Sequence, residues 1–406
     1  MDTRSWVKGS ARTGLGEDTM GMERIPVMRP WMGDEEAAAA ADAVRSGWVA
    51  QGPRVAAFER AFADRLGVAE AIAVSSCTTA LHLALINAGV GPGDEVVVPS
   101  LSFVATANAV RYVGARPVFA DVERATGNLS PDTVEPVLTS ATRAVILVDQ
   151  GGIPADLDAM RALVDHRGIV VVEDAACAAG STYKGRPVGA GAMSATFSFH
   201  PRKLLTTGEG GMLTLARAGH APRLRRLREH GMSVSAADRD AADRAGGAPV
   251  VESYDELGFN YRMTDVQAAI GLVQLGRLAA MVERRRELAA RYRESLADVA
   301  GLETAADPAY GLTNFQAFWV LLPEDFPMSR DELLGGLARA GISARRGIMA
   351  AHLEPAYADV EHVPLPVTER LTRDSLILPL FHELTEAQQD RVVAAVRAAA
   401  GVRAAV

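Results

Sequence analysis

The stretch Thr196-Phe-Ser-Phe-His-Pro-Arg-Lys-Leu-Leu-Thr-Thr-Gly-Glu-Gly-Gly-Met212 decides the fold. It begins with β-branched and aromatic residues that favour a strand, and it places Lys203 five positions after Ser198, ahead of a glycine-rich turn. Schiff-base chemistry requires a neutral amine, and a partly desolvated site would lower the lysine pKa from about 10.4. For Lys203 alone, a structural lysine covering a glycine turn is the alternative.

An acidic residue ends a second predicted strand. Gly168-Ile-Val-Val-Val-Glu-Asp-Ala-Ala176 is an apolar run that reaches Asp174, and open α/β sheets bind their ligands at the carboxyl ends of parallel strands. In enzymes that use pyridoxal 5'-phosphate (PLP), an aspartate commonly pairs with the pyridinium nitrogen. Taken by itself, Asp174 could equally be a turn or helix cap.

A third stretch predicts an anion site. Ala71-Ile-Ala-Val-Ser-Ser-Cys-Thr-Thr-Ala-Leu-His-Leu-Ala-Leu85 is typical of a strand, a turn of small hydroxyl residues and an apolar helix. Backbone N–H groups at a helix N-terminus bind anions, and Ser76 and Thr78 add donors. Alone, the turn is simply a good helix cap. With Lys203 and Asp174 it indicates a phosphate site.

These stretches resemble the DegT/DnrJ/StrS family of PLP-dependent sugar aminotransferases, which has the aspartate-aminotransferase (type I) fold. The resemblance runs from about Ile25 to the C-terminus. It is carried by Ser-Gly-Trp-Val-Ala-Gln-Gly-Pro (46–53), Ser-Ser-Cys-Thr-Thr-Ala-Leu-His-Leu-Ala-Leu (75–85), Val-Val-Pro-Ser-Leu-Ser-Phe-Val-Ala-Thr-Ala-Asn (97–108), Glu-Asp-Ala-Ala (173–176), Ser-Phe-His-Pro-Arg-Lys…Gly-Glu-Gly-Gly (198–211) and Gly-Phe-Asn-Tyr-Arg-Met-Thr-Asp-Val-Gln-Ala-Ala (258–269).

The alternation of β-rich and helical runs predicts an α/β fold. With the resemblance, we expect a large PLP-binding domain over residues 25–285, built on a mainly parallel seven-stranded sheet flanked by helices, and a smaller C-terminal α+β domain over 286–406. Residues 1–24 are predicted to be a disordered extension, and residues 233–250 a mobile loop. The predicted strands of the sheet are 71–74, 95–98, 117–120, 144–148, 169–173, 195–199 and 211–215.

The resemblance implies the cofactor site. Lys203 would bind PLP covalently and Asp174 would keep its ring protonated; the residues implied in cofactor binding are Ser76, Cys77, Thr78, Phe103, Asp174, Cys177, Ser198, Lys203 and, from a neighbouring subunit, Asn260. Phe103 would stack on the ring, although periodicity alone favours a core position. Two positions depart from the family: Cys77 stands where many relatives have Gly, and Cys177 where they usually have Gln or His. Gly151-Gly152 also replaces a His and an aromatic residue of many relatives.

Substrate contacts are predicted for Trp48, His200, Arg262, Arg345 and Arg346. The loop that contains Trp48 resembles one that lines the neighbouring subunit's site, although it could be a plain inter-helix turn. Arginines suit carboxylate and phosphate ligands because they bind them bidentately. By contrast, Arg284-Arg285-Arg286 is predicted to be a solvated helix face rather than a binding patch.

Composition sets the remaining expectations. The chain has 406 residues, enough for two domains with full cores, and a formal charge of −8 without basic clusters interleaved with aromatics, so nucleic-acid and membrane partners are not expected. Its two cysteines form neither a disulfide framework nor a metal spacing, and we expect no metal. No apolar run looks long enough to span a bilayer and no signal peptide is visible, so a cytoplasmic location is expected.

We therefore predict an aminotransferase with ping-pong kinetics, active at least as a homodimer with shared sites. The resemblance implies L-glutamate or L-glutamine as amino donor, pyridoxamine 5'-phosphate (PMP) as the intermediate cofactor form, and a keto sugar, probably nucleotide-linked, or a keto-cyclitol as acceptor, in antibiotic or polysaccharide biosynthesis. Three alternatives stay open. A PLP-dependent sugar dehydratase would carry His in place of Lys203, an aromatising synthase would keep the lysine, and a regulatory protein would bind PLP without turnover.

Overall fold

The structure is a computed structural model, and it describes residues 23–235, 239 and 251–402. Residues 1–22 of the predicted extension at 1–24 and most of the predicted mobile loop at 233–250 lie outside the described residues, while Arg24 donates to the Ser343 hydroxyl at 3.0 Å.

Fourteen strands of the described chain form three sheets. They are β1 (Glu70–Val74), β2 (Glu95–Pro99), β3 (Arg116–Ala120), β4 (Thr142–Val148), β5 (Val170–Asp174), β6 (Thr182–Tyr183), β7 (Arg186–Pro187), β8 (Ser194–Ser198), β9 (Gly211–Leu215), β10 (Glu303–Thr304), β11 (Gly311–Leu312), β12 (Phe318–Leu321), β13 (Arg345–Arg346) and β14 (Ser375–Leu378).

The large sheet has seven strands in the order β1-β9-β8-β5-β4-β2-β3. β9 runs antiparallel to both of its neighbours, and all other neighbouring pairs are parallel. The prediction of a mainly parallel seven-stranded α/β sheet is confirmed, and each predicted strand forms to within two residues at either end. Because parallel strands point the same way, the carboxyl ends of β4, β5 and β8 meet at one edge of this sheet.

The helices surround the sheets. They are α1 (Asp34–Arg45), α2 (Pro53–Leu66), α3 (Cys77–Asn87), α4 (Ala105–Tyr112), α5 (Pro131–Val134), α6 (Leu157–Val164), α7 (Ala221–Leu227), α8 (Asp265–Ser295), α9 (Arg330–Arg339), α10 (Pro366–Asp374) and α11 (Glu386–Ala399). Helices α3, α8 and α11 each begin directly after a hydroxyl residue whose side chain caps the helix. Ser76, Thr264 and Thr385 each accept a hydrogen bond from the backbone N–H three residues later, which satisfies a donor that the helix leaves free.

Helix α8 is the longest described element, at 31 residues. By length and mean hydropathy, 1.2 over its most apolar window, it could cross a membrane, which the sequence-based search for apolar runs missed. α1 and α2 pack along it, and 44% of that window is buried. Core helices of globular proteins have the same properties.

The C-terminal part forms a four-stranded antiparallel sheet in the order β10-β12-β14-β13, with α9 and α11 packed against each other. The N-terminal segment joins it: Ile25 pairs with Ile342, and Leu380 donates its N–H to the Val27 carbonyl at 3.1 Å. The predicted domain boundary at 285/286 lies inside α8. Buried side chains of both parts, from Phe58 to Leu378, form one continuous hydrophobic cluster.

The prediction that Arg284-Arg285-Arg286 is a solvated helix face is wrong. Arg285 is buried and donates to the carbonyls of Phe315 and Gln316. Arg286 binds both carboxylate oxygens of Asp307, at 3.0 and 2.8 Å, and Arg284 donates to two backbone carbonyls further along the chain. Three consecutive positive charges suggested a solvent-exposed face. Instead, Arg285 and Arg286 bind α8 to the connection between β10 and β12, and Arg284 binds it to the segment after β14.

Candidate active site

The sheet edge and the N-terminus of α3 bring the three sequence stretches together. Lys203 lies in the turn after β8, where its N–H donates to the His200 carbonyl at 2.8 Å. Its ammonium nitrogen Nζ lies 3.0 Å from the Cys177 sulfur. Cys177 follows Asp174 at the end of β5, so two neighbouring strands carry the reactive groups.

Electrostatics at Lys203 differ from the sequence-based expectation. Burial lowers the pKa of Lys203, but the acidic groups of Cys177, Cys77 and Asp174 outweigh burial, and the net shift is upward. The prediction of a lowered lysine pKa is therefore wrong. Desolvation was foreseen, whereas the acidic groups that the fold gathers around Nζ were not.

Asp174 is buried at the end of β5. One oxygen, Oδ1, accepts the N–H of Ala176 at 3.2 Å, and the other, Oδ2, accepts the hydroxyl of Thr106 at 3.1 Å. Burial raises the pKa of Asp174, while the Ala176 N–H, the charge of Lys203 and the Thr106 hydroxyl act against that rise. The carboxylate is thus held in place at both oxygens.

Thr106 is a site residue that the sequence reasoning missed. Its hydroxyl lies between Asp174 and Ser102, whose Oγ is 2.8 Å away. Ser102 and Thr106 stand four positions apart at the start of α4, in a motif quoted above for the family resemblance. The spacing could have pointed to a shared face, but only the fold shows that this face meets Asp174.

The N-terminus of α3 forms an anion cradle. Ser76 caps the helix by accepting the Thr79 N–H at 3.2 Å, while Cys77 and Thr78 are its first two residues. Gly211 on β9 comes so close that a Cβ there would lie 2.4 Å from the carbonyl carbon of Ser76 and 2.6 Å from the Cys77 nitrogen. A glycine is therefore required beside the cradle. The predicted helix cap is confirmed, and the anion site stays a prediction that this geometry suits.

Phe103 and Ser198 are the two other predicted cofactor residues. The Phe103 ring is 63% exposed, which rejects the core position that periodicity favoured, and its carbonyl accepts the N–H of Thr106 at 3.1 Å. Ser198 ends β8, is half-buried, and pairs with Gly211 of β9. An exposed aromatic ring is available for stacking on a ligand.

The predicted substrate residues occupy different surroundings. His200 accepts the Arg202 N–H at Nδ1, its Nε2 lies 3.9 Å from the Glu209 carboxylate, and burial lowers its pKa. Arg262 lies 3.9 Å from the carboxylate of Glu229 and pairs through its backbone with Val74, next to the cradle.

Trp48 and Asn260 lie further along the surface of the same subunit. Trp48 packs on the loop before α2, where a Cβ at Gly52 would meet its ring at 2.8 Å. Asn260 is exposed, and its backbone pairs with that of Glu229.

The two arginines of β13 differ. Arg346 lies 3.8 Å from the Glu354 carboxylate. Arg345 is exposed at the surface; desolvation and the charge of Arg202 lower its pKa, and Cys177 acts against that fall. Adjacent strand residues point to opposite sides, which explains the difference.

Residues 313–316, which precede β12, form a further contact with the site that the sequence reasoning missed. Asn314 is buried and donates to the carbonyls of Cys177 and Ala179 at 2.9 and 2.8 Å. Gln316 contacts the backbone on both sides of Lys203. No motif marks these residues, because they lie more than 100 positions from their partners.

The residues fit PLP. A carboxylate suited to a protonated ring nitrogen, an amine, an exposed aromatic ring and a helix N-terminus shaped by Gly211 surround one place at the sheet edge. Among the described residues, no cluster of His, Cys, Asp or Glu could hold a metal ion.

Comparison with known proteins identifies the same class. A family model described as the DegT/DnrJ/EryC1/StrS aminotransferase family matches residues 30–397. The aminotransferase TlmJ from Streptoalloteichus hindustanus is 38% identical, with a TM-score of 0.84 over 92% of this chain and 98% of that one. S. venezuelae DesV is 35% identical, with a TM-score of 0.83 over 95% of this chain and 100% of that one.

The PLP form of Spr1654 from Streptococcus pneumoniae, a putative sugar aminotransferase, is 27% identical, with a TM-score of 0.86 over 94% of this chain and 100% of that one. A PMP form of Spr1654 is similar to the chain as well, with a TM-score of 0.87. The chain belongs to the DegT/DnrJ/EryC1/StrS aminotransferase family and is a PLP-dependent aminotransferase.

Proposed function

We propose that this aminotransferase moves an amino group from L-glutamate or L-glutamine to the ketone of a sugar, and that Lys203 and Asp174 are its catalytic residues. The observation that carries the residue assignment is the convergence of Lys203, Cys177 and Asp174 at one sheet edge. The ammonium lies 3.0 Å from the Cys177 sulfur, and its charge acts on the buried Asp174 carboxylate.

PLP, when bound, supplies a cationic ring that stabilises negative charge on the substrate carbon. Asp174 would keep that ring protonated, and its two oxygens accept the N–H of Ala176 and the hydroxyl of Thr106. Ser76, Thr78 and the first N–H groups of α3 would hold the phosphate. Lys203 would hold the cofactor covalently, and its amine, once free, would take up and return a proton at the donor α-carbon.

The acceptor is a keto sugar, nucleotide-linked, or a keto-cyclitol, of the kind used in antibiotic or polysaccharide biosynthesis. Similarity to the putative sugar aminotransferase Spr1654 supports a sugar. The exposed arginines of β13, Arg345 and Arg346, are candidates for an anionic group on one substrate, because a guanidinium binds carboxylates and phosphates bidentately. Donor and acceptor use the site in turn, which gives ping-pong kinetics.

An acceptor screen tests this proposal. The protein is converted to its PMP form with L-glutamate or L-glutamine, freed of donor, and mixed with keto sugars with and without a nucleotide diphosphate and with keto-cyclitols. Return of the PLP absorbance identifies the acceptor. If only 2-oxo acids restore that absorbance, the sugar assignment is wrong while the aminotransferase class stands.

We further propose a homodimer in the cytoplasm, with each site completed by the neighbouring subunit's Asn260. The segment before Asn260 carries exposed apolar side chains, and Leu257 is 94% exposed. Such a surface favours contact with a partner. Mixing a Lys203→Ala protein with an Asn260→Ala protein should restore activity in hybrid dimers that contain one intact site. A monomer with full turnover would contradict the shared site.

A further inference from the structure

We propose that Gln316 is a positioning residue that sets the orientation of Lys203. Its side-chain carbonyl Oε1 accepts the Leu204 N–H at 2.9 Å, and its Nε2 donates to the carbonyl of Arg202. These two groups belong to the peptide units immediately before and after the Lys203 α-carbon. One side chain thus fixes both peptide units from which the Lys203 side chain projects.

Only a carboxamide suits this contact well. It offers one donor and one acceptor in a plane, whereas a glutamate at pH 7 has two acceptors and would place an oxygen against the Arg202 carbonyl. The Lys203 N–H itself donates to the local His200 carbonyl at 2.8 Å, and three residues later the Thr206 N–H donates to Gln274 Oε1 at 3.4 Å. Gln316 ties the two peptide units that flank Lys203 to a distant part of the chain.

Gln316 is itself held firmly. Its N–H donates to Asn314 Oδ1 at 2.8 Å, and its carbonyl accepts from buried Arg285 at 3.1 Å. Between them Phe315 adopts a left-handed φ of 49°, which costs a non-glycine residue about 1–3 kcal/mol and persists only where the surroundings impose it. Arg285 also donates to the Phe315 carbonyl at 3.0 Å, so it contacts the backbone of both residues.

The same segment also fixes the opposite side of the site. Asn314 donates to the Cys177 carbonyl at 2.9 Å, so residues 314–316 connect the Cys177 segment to the Lys203 turn. Gly152 makes room for Asn314, because a Cβ at that position would lie 1.9 Å from Asn314 Oδ1. This accounts for one glycine of the pair that departs from the family pattern. Residues 314–316 therefore set the distance between the Cys177 segment and the Lys203 turn, in which Nζ of Lys203 lies 3.0 Å from Sγ of Cys177.

The test compares two cofactor forms, and it rests on the proposal that Lys203 is the residue that binds PLP. PLP binds Lys203 covalently, whereas PMP binds without that bond. Gln316→Glu keeps the size of the side chain and loses the donor to Arg202. Gln389→Glu is the matched control: Gln389 is buried and donates to the Leu288 carbonyl at 2.7 Å, in the packing of α11 on α8.

We expect Gln316→Glu to form the borohydride-reducible bond to PLP about tenfold more slowly than the parent, since misplacing a reacting group by about 1 Å can cost up to about 100-fold. PMP affinity should stay within about twofold, and Gln389→Glu should match the parent in both measurements. The variant-to-parent rate ratio should recover as the pH falls and the new carboxyl gains a proton, because the donor to Arg202 is then restored. The test depends on Gln316→Glu rather than on Gln316→Ala, because the glutamate variant is isosteric with the parent and can be measured even if the alanine variant fails to fold.

Equal rates in Gln316→Glu and parent would overturn the inference. So would an equal loss of PMP affinity and of the bond-forming rate, which would make Gln316 a general structural residue. A parent protein that does not bind PLP at Lys203 would overturn the residue assignment under the proposed function and this inference together. If parent and Gln316→Glu both form the bond between PLP and Lys203 at the parent rate, this inference is wrong while the proposed function stands.

Discussion

The two walls of the site were built in different ways. The cofactor wall, formed by Ser76, Asp174 and Lys203, lies at the edge of the large sheet: Ser76 caps α3, Asp174 ends β5, and Lys203 lies in the turn after β8. The connecting wall, formed by Asn314 and Gln316, comes from the segment before β12 and contacts the site through these two side chains. Reactive residues at the ends of strands and helices can be predicted from local sequence motifs. Residues that contact the site from a distant segment cannot.

The largest effect is expected on the cofactor wall. Lys203→Ala should abolish borohydride fixation of PLP and slow the donor half-reaction by several orders of magnitude, because the amine both binds the cofactor and carries the proton. The chain has only three lysines, so mapping the fixed peptide by mass spectrometry is direct. Lys184→Ala is the control: Lys184 is an exposed partner of Asp158 at 2.9 Å, and its loss should leave fixation unchanged. Fixation at the usual stoichiometry in Lys203→Ala would break the assignment.

Asp174→Asn should follow in size. Removing the charge that holds the ring protonated costs on the order of 3–4 kcal/mol in the transition state, a slowing of about 100- to 1,000-fold. Stopped-flow loss of PLP absorbance with L-glutamate isolates this step. Thr106→Val removes one hydrogen bond to the carboxylate at 3.1 Å without removing charge, and should cost less. A rate within about threefold of the parent in Asp174→Asn would make Asp174 a structural cap.

The two arginines of β13, in the C-terminal part, should have different effects on the KM of the anionic substrate. Arg345→Gln should raise the KM of the anionic substrate about tenfold, since a hydrogen bond to a charged group contributes about 1.5–3 kcal/mol. Arg346→Gln should change KM by less than about twofold, because Arg346 lies 3.8 Å from the Glu354 carboxylate rather than within reach of Cys177. Steady-state kinetics of both variants measure the difference. Equal shifts in KM would mean that β13 contributes only general positive charge.

The smallest effect concerns how the free energy of unfolding depends on pH, and it arises from Glu173. Glu173 neighbours Asp174 on β5 and points to the opposite face; burial raises its pKa to about 7, although the Gly189 N–H and Arg186 act against that rise. The folded state therefore holds a proton that the unfolded state has lost, so stability falls as pH rises from about 4.5 to 7. Glu173→Gln should remove this slope, and its gain over the parent should grow with pH by up to about 3 kcal/mol.

Urea unfolding at pH 5 and pH 8 measures that change. Glu332→Gln is the control: the Ser329 hydroxyl and N–H lower the pKa of Glu332 from 4.5, so its contribution changes only below about pH 4.5, and the difference between variant and parent should be the same at pH 5 and pH 8. Buried Asp149, whose pKa is also raised by burial and by Glu173, titrates together with Glu173 and broadens the transition. Equal differences between variant and parent at both pH values would show that Glu173 is ionised throughout.

The large sheet and the stretches that carry the cofactor wall could be predicted from the sequence alone. Strand and helix signals are local, so the seven strands of the large sheet, the Ser76 cap and the position of Asp174 at a strand end follow from neighbouring residues. Motifs in the same stretches carried the family resemblance, and the family model confirms it.

The tertiary structure alone decided which side chains surround those groups. The raised pKa of Lys203 arises from Cys177, Cys77 and Asp174, which come from two separate segments. Burial of Arg285 and the contact of Gln316 with the Lys203 turn each join residues that are distant in sequence. Such contacts follow from how packed elements meet, and no local propensity encodes them. The class of reaction could therefore be predicted from local motifs in the chain. The pKa shifts at the site and the long-range contacts that hold its residues in place follow only from the folded structure.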